Sequence, residues 1–187
     1  MHADFDPQPI LRDPLLCLRP LNAADLEPLY AVANDPLLWA GHPATNRHER
    51  RVFTPYFDML LASRTTLAAT LADTGQIIGC SRYYTAPDHE KAVSIGYTFL
   101  GRNWWGGDTN FAMKRLMLDH AFACVETVWL HIDPANIRSQ CATEKLGAVC
   151  AYSANIRLGG KDGFWQCWRL DRAVWAQTNA RYRARPT

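Results

Sequence analysis

Apolar and polar positions follow two different periods along this chain. Downstream of Thr109, the residues Met113, Leu116, Met117, His120, Ala121 and Cys124 recur at helical spacing, which predicts an amphipathic helix over Thr109–Cys124. Just upstream, Ala92 to Leu100 is dense in β-branched and aromatic residues and reads as a strand at Val93–Leu100. The same criteria predict strands at Leu16–Pro20, Leu67–Ala72, Ile77–Thr85, Val128–Ile132, Val149–Arg157 and Phe164–Leu170. Helices are expected at Ala23–Ala33, Glu49–Ala62 and Ile137–Leu146. Turn residues at Asp73-Thr74-Gly75 and Gly159–Gly163 suit antiparallel neighbours. No repeat or linker-like stretch breaks this order. The expectation is one α+β domain over 1–187, with 1–14 and 181–187 as flexible termini.

Two connections carry candidate chemistry. Leu100 to Asn110 reads Leu-Gly-Arg-Asn-Trp-Trp-Gly-Gly-Asp-Thr-Asn and joins a strand to a helix through paired glycines. A helix N-terminus leaves backbone N–H groups unpaired and favours negative charge, so this turn is the place for a bound phosphate. Asp108 sits where such a phosphate would lie; as a helix N-cap it would turn its carboxylate aside. The second connection begins at His131-Ile132-Asp133-Pro134 and continues into a short helix, with Asn136 as N-cap and Gly147 closing the far end. The glycine spacing matches neither the dinucleotide fingerprint nor the P-loop, so nicotinamide cofactors and nucleoside triphosphates are poor candidates.

Composition narrows the function classes. The 187 residues are 48% hydrophobic and 20% charged, enough for a well-buried core and without the bias of disorder. Net charge is only +2 with no long basic run, which gives no reason to expect nucleic acid. No apolar run is long enough for a membrane span, and Asp4, Asp6 and Pro7 are unlike a signal peptide, so a cytoplasmic protein is expected. Six cysteines without Cys-x-x-Cys spacing read as reduced, mostly buried packing residues. The scattered histidines show no ligand spacing, and no metal is expected.

Four pieces in order then resemble the GNAT superfamily of acetyl-CoA-dependent N-acetyltransferases, in the branch similar to enzymes that acetylate ribosomal-protein N-termini. They are Leu18-Arg19-Pro20-Leu21, Ile95-Gly96-Tyr97-Thr98-Phe99-Leu100, the Trp105-Gly106-Gly107 turn with its helix, and Asn136-Ile137-Arg138-Ser139 through Glu144-Lys145-Leu146-Gly147. The likeness runs from Leu16 to about Arg172. It implies a central mixed, mostly antiparallel sheet of about seven strands flanked by helices, with the fourth and fifth strands splayed around the cofactor. A dimer is common in that branch.

The resemblance also implies roles. The backbone of Thr98, Phe99 and Leu100 would hold pantetheine as though adding a strand. Trp105, Gly106, Gly107, Asp108, Thr109 and Asn110 would meet the pyrophosphate, and Asn136 and Ser139 would reach pantetheine or the thioester. Asp108 replaces a glycine usual in the family, with Lys114, Arg115 or Arg102 as candidates to compensate its charge. A backbone N–H of Phe99 or Leu100 would polarise the thioester carbonyl. Ser139 is the candidate proton donor to the thiolate, since Thr143 stands where relatives often have tyrosine; capping or packing is its other reading. Ser94 stands where relatives often carry a glutamate base. Asp133 is the chosen substitute, with His131, His89 and Glu90 as others, although Asp133-Pro134 also suits a turn and His131 a bond within the sheet. Acceptor contacts are expected from Trp39 and His42 in the segment ending at Arg47, from Tyr83 or Tyr84, and from Ser94; a plug in the core is the other reading of Trp39. The expected reaction is direct acetyl transfer from acetyl-CoA to a small-molecule amine or peptide N-terminus, the rival being a non-catalytic acyl-CoA-binding or interaction module.

Overall fold

The computed structural model describes residues 4–184. Its strands are β1 (Leu11–Arg12), β2 (Leu16–Pro20), β3 (Thr66–Leu71), β4 (Ile77–Tyr84), β5 (Val93–Leu100), β6 (Thr127–Ile132), β7 (Val149–Leu158) and β8 (Lys161–Asp171). The α-helices are α1 (Leu26–Ala33), α2 (Pro36–Trp39), α3 (Arg50–Ala62), α4 (Thr109–Phe122), α5 (Ile137–Glu144) and α6 (Arg172–Arg183). Hydrogen bonding orders the eight strands as β1-β2-β3-β4-β5-β6-β8-β7. β5 and β6 are the parallel pair, with Val93 opposite Val128 and Ser94 opposite Trp129. They are the two strands counted as fourth and fifth from the sequence, where β1 was not expected.

The chain groups into two compact units, and β5 contributes to both. The first holds Asp6–Tyr83 and Gly96–Met117. Its α3 presents Phe53, Tyr56, Phe57 and Leu60 on one face at helical spacing. These pack with Leu29, Leu38 and Trp39 against Ala68, Cys80 and Phe99 of the strands. Each fully buried large side chain contributes roughly 1.5–3 kcal/mol. The Leu18-Arg19-Pro20-Leu21 piece works here as a clamp. Arg19 reaches both carboxylate oxygens of Asp25 at 2.8 and 2.7 Å, while Asp25 and Asn22 cap each other's backbone. Such a bidentate, charge-assisted pair fixes the exit of β2 into α1.

The second unit contains Tyr84–Ile95 with the described residues 4–5 and 118–184. Here β6 and β7 flank β8 antiparallel, with His131 opposite Cys167 and Tyr152 opposite Cys167 beside a register shift. Helix α6 docks through buried Trp175, whose indole N–H donates to Asp119 Oδ1 at 2.7 Å. Of the termini expected to be flexible, 1–3 and 185–187 lie outside the described residues. Within the rest, Phe5 is buried, Leu11–Arg12 pair with β2, and Arg181–Arg183 close α6. All six cysteines are free thiols, but only Cys17, Cys80 and Cys167 are buried, and Cys141 and Cys150 are exposed. No helix among the described residues is long and apolar enough to cross a membrane.

Candidate active site

In the first unit, β4 and the end of β5 approach unusually closely. A Cβ on Gly79 would lie 2.1 Å from the Phe99 carbonyl oxygen, so only glycine fits there. Two residues before Phe99, Tyr97 adopts φ +53°, a left-handed conformation that is costly for a tyrosine and re-aims the strand. Sequence reasoning did not single out this kink, although Gly96 beside it was a hint. Past the kink, the Gly101 N–H donates to the Ile78 carbonyl of β4 at 2.9 Å, and the Phe99 carbonyl lies against Gly79. Strand alternation therefore turns the Thr98 and Leu100 amides away from β4. Phe99, expected to serve cofactor or carbonyl directly, is engaged within the sheet. The Leu100 carbonyl accepts the Trp105 indole N–H at 2.8 Å, which ties the glycine turn back onto the strand.

That turn is open. Gly106, with φ +76°, and Gly107 are exposed, and a Cβ on either would meet nothing within 4 Å. The Asp108 carbonyl accepts the Ala112 N–H at 2.8 Å, which is the N-cap residue's backbone bond, and Thr109 begins the fourteen-residue α4. Asp108 is exposed and Asn110 half-buried. An accessible glycine pair running into a long helix's N-terminus fits a diphosphate-bearing cosubstrate. The three cations expected to offset Asp108 are engaged elsewhere. Arg102 pairs with Asp35, Arg115 reaches Asp13 at 2.5 Å, and Lys114 is buried with Nζ 2.7 Å from Thr98 Oγ1. Burial pushes the Lys114 amine down to about 7, against a smaller opposing effect of Cys80.

In the second unit, Asn136 Oδ1 accepts the Ser139 N–H at 3.2 Å as the side-chain cap of α5. Ser139 stands half-buried in the first turn of that helix. Asp133 Oδ1 accepts the Ala135 N–H at 2.8 Å, and its carbonyl accepts the Asn136 N–H, so Asp133 shapes the turn between β6 and α5. Ser94 is fully buried, and its Oγ has no hydrogen-bond partner among the described residues. His131 is held between Tyr84, whose hydroxyl lies 2.8 Å from Nδ1, and Asp88, whose Oδ2 lies 3.3 Å from Nε2. Burial lowers the His131 pKa, against Asp88. Burial alone would raise the Asp88 carboxyl, but hydrogen bonds from Tyr152 and His131 hold it below the usual range.

The residues expected to meet the acceptor are mostly interior. Trp39 is 2% exposed and donates its indole N–H to the Ala33 carbonyl at 2.7 Å. It is a core plug, the second of its two sequence readings. His42 is half-buried edge-on to Trp39, and its Nδ1 accepts the Ala44 N–H at 2.9 Å. The Tyr83 hydroxyl is buried on the Met117 carbonyl at 2.8 Å.

A family model described as an acetyltransferase (GNAT) domain matches residues 16–149. A GCN5-related N-acetyltransferase structure from Brucella melitensis is similar at TM-score 0.79 and 16% identity, over 95% of this chain and 85% of that one. RimJ of Mycobacterium smegmatis, solved with CoA-disulfide, is similar at TM-score 0.66 and 16% identity, over 94% of each chain. An aminoglycoside acetyltransferase, AAC(6')-Ib, solved with coenzyme A and kanamycin, is similar at TM-score 0.63 and 17% identity, over 88% of this chain and 99% of that one. No curated protein sequence matches the chain. With a family model covering most of its length and an α+β sheet of the same fold, the chain belongs to the GNAT family of acetyl-CoA-dependent acetyltransferases.

Proposed function

We propose that the protein moves the acetyl group of acetyl-CoA directly onto a primary amine, either a protein N-terminus or a small-molecule amine. The observation that carries this reading is the accessible Trp105-Gly106-Gly107 turn at the N-terminus of α4, tied to Leu100 at the end of a kinked β5. The amides of Thr98 and Leu100, which face away from β4, are the groups for pantetheine and for the thioester oxygen as it gains charge. Backbone N–H groups from Gly106 to Asn110 would meet the diphosphate. Both RimJ and the aminoglycoside enzyme were solved with CoA or its disulfide, which supports the cosubstrate.

The bond that forms joins the amine nitrogen to the acetyl carbon, and the bond that breaks is carbon to sulfur. Ser139, in the first turn of α5, is assigned to protonate the departing thiolate, and the proton that the attacking nitrogen loses as the amide forms restores the Ser139 hydroxyl through solvent. Asp133 is committed to its turn and Ser94 is buried, so the amine reacts as the free base, having lost its proton to solvent. Initial-rate kinetics with acetyl-CoA and a panel of N-terminal peptides and small amines tests the scheme. Intersecting double-reciprocal lines and a large kcat loss in Ser139→Ala are expected. Parallel lines with an isolable acetyl-enzyme would overturn direct transfer.

A further inference from the structure

Within the second unit, three side chains from three separate elements bring their donor atoms together. They are Asp88 on the short turn Pro87–His89, His131 on β6 and Cys167 on β8. Asp88 Oδ2 lies 3.3 Å from His131 Nε2 and 3.7 Å from Cys167 Sγ, and all three atoms fall within 4.8 Å of one another. Ligands bound to one Zn2+ at about 2.0–2.3 Å in tetrahedral geometry stand roughly 3.3–3.7 Å apart. The spacing around Asp88 therefore already suits a shared ion.

The supporting contacts hold each donor in place. His131 and Cys167 are direct cross-strand partners of β6 and β8, and both side chains are buried. The Tyr84 hydroxyl engages His131 Nδ1 at 2.8 Å, which fixes the ring and leaves Nε2 aimed at the cluster. The Tyr152 hydroxyl donates to Asp88 Oδ2 at 2.5 Å. His89 stands beside the cluster without joining it: its ring stacks on Trp129 with centroids 3.7 Å apart, and its Nε2 lies 2.7 Å from the Tyr152 hydroxyl.

We propose that Asp88, His131 and Cys167 form a three-residue divalent-metal site for Zn2+, with the fourth position left to solvent. A thiolate with imidazole and one carboxylate is a donor set of borderline softness, which suits Zn2+ and not Mg2+ or Ca2+. On binding, the Sγ–H bond of Cys167 breaks as the Sγ–metal bond forms, and the proton leaves to solvent. The ion would staple the Pro87–His89 turn to two strands. Sequence spacing hid the site, because its donors stand 43 and 79 residues from or beyond Asp88 and share no local motif.

Cobalt(II) tests the proposal on the full chain after chelator treatment. One equivalent of Co2+ should give a thiolate-to-cobalt charge-transfer band with tetrahedral d–d absorption, displaced by one equivalent of Zn2+. The band should vanish in Cys167→Ser and persist in Cys141→Ser and Cys150→Ser. Asp88→Asn should weaken Co2+ binding at least tenfold, with circular dichroism confirming a folded chain. A wild type with no thiolate band at equimolar Co2+ would overturn the site, as would an unchanged band in folded Cys167→Ser. Should Cys167→Ser fail to fold, unchanged Co2+ affinity in Asp88→Asn would overturn it equally.

Discussion

Lys114 Nζ donates to Thr98 Oγ1 at 2.7 Å and reaches Ser81 Oγ at 3.4 Å, so a buried amine is solvated by two hydroxyls of β4 and β5. With burial pushing its pKa down to about 7, the folded chain binds fewer protons than the unfolded one from there up to the ordinary lysine value. Stability contributed through Lys114 therefore rises with pH above about 7, by up to about 1.4 kcal/mol per unit. Lys114→Met should be more stable than wild type at pH 6.5, and the difference should shrink by about 1–2 kcal/mol by pH 8.5. Urea unfolding at the two pH values reads this directly. Parallel pH dependence in the two proteins would refute it.

Gly79 and Gly107 make a matched pair. A Cβ at Gly79 runs into the Phe99 carbonyl, whereas at Gly107 it meets open space. Gly79→Ala should cost about 3 kcal/mol, since backbone has to move, and Gly107→Ala should stay within about 1 kcal/mol. Thermal unfolding of both variants checks the contrast. Equal melting temperatures would mean that the close approach of β4 and β5 is not maintained in solution.

Asp108 places a carboxylate beside the glycine turn proposed to bind the diphosphate, and the nearby Arg102, Lys114 and Arg115 have other partners. Asp108→Asn should tighten acetyl-CoA about three- to tenfold, most strongly at low salt, while leaving stability nearly unchanged. Calorimetric titration at two ionic strengths measures it. Weaker binding by the variant would assign the carboxylate a positive role in cosubstrate binding.

Trp39→Phe removes the donor to the Ala33 carbonyl and leaves that oxygen buried. The expected cost is about 1–3 kcal/mol of stability with the acceptor KM unchanged. A selective rise in acceptor KM at constant stability would return Trp39 to the substrate site.

Legibility in the sequence followed the length and period of each signal. Val93–Leu100 and the span of α4 were readable to within about two residues, but α4 is not the one-sided helix expected, because Ala112, Met113, Lys114, Met117, Leu118, Ala121 and Phe122 bury it around much of its circumference. Leu11–Arg12 shows no period at all, and α2 is a single turn recognisable only by Asp35 before Pro36. Helix α6 buries little besides Trp175, so it lacks an apolar stripe. The glycine turn and the Asn136 cap were legible as local chemistry. The roles of Lys114, His131 and Tyr83 were not, since burial and partners far along the chain determine them. The kink at Tyr97 depends on tertiary pairing and has no residue signature of its own beyond Gly96.

Mass spectrometry of the products formed from acetyl-CoA and a panel of N-terminal peptides and small amines shows whether the protein acetylates an amine. An N-acetylated amine and CoA in equal amounts are expected for at least one acceptor, with product formation greatly slowed in Ser139→Ala. Tight acetyl-CoA binding with no acetylated product across peptide and small-amine classes would contradict it.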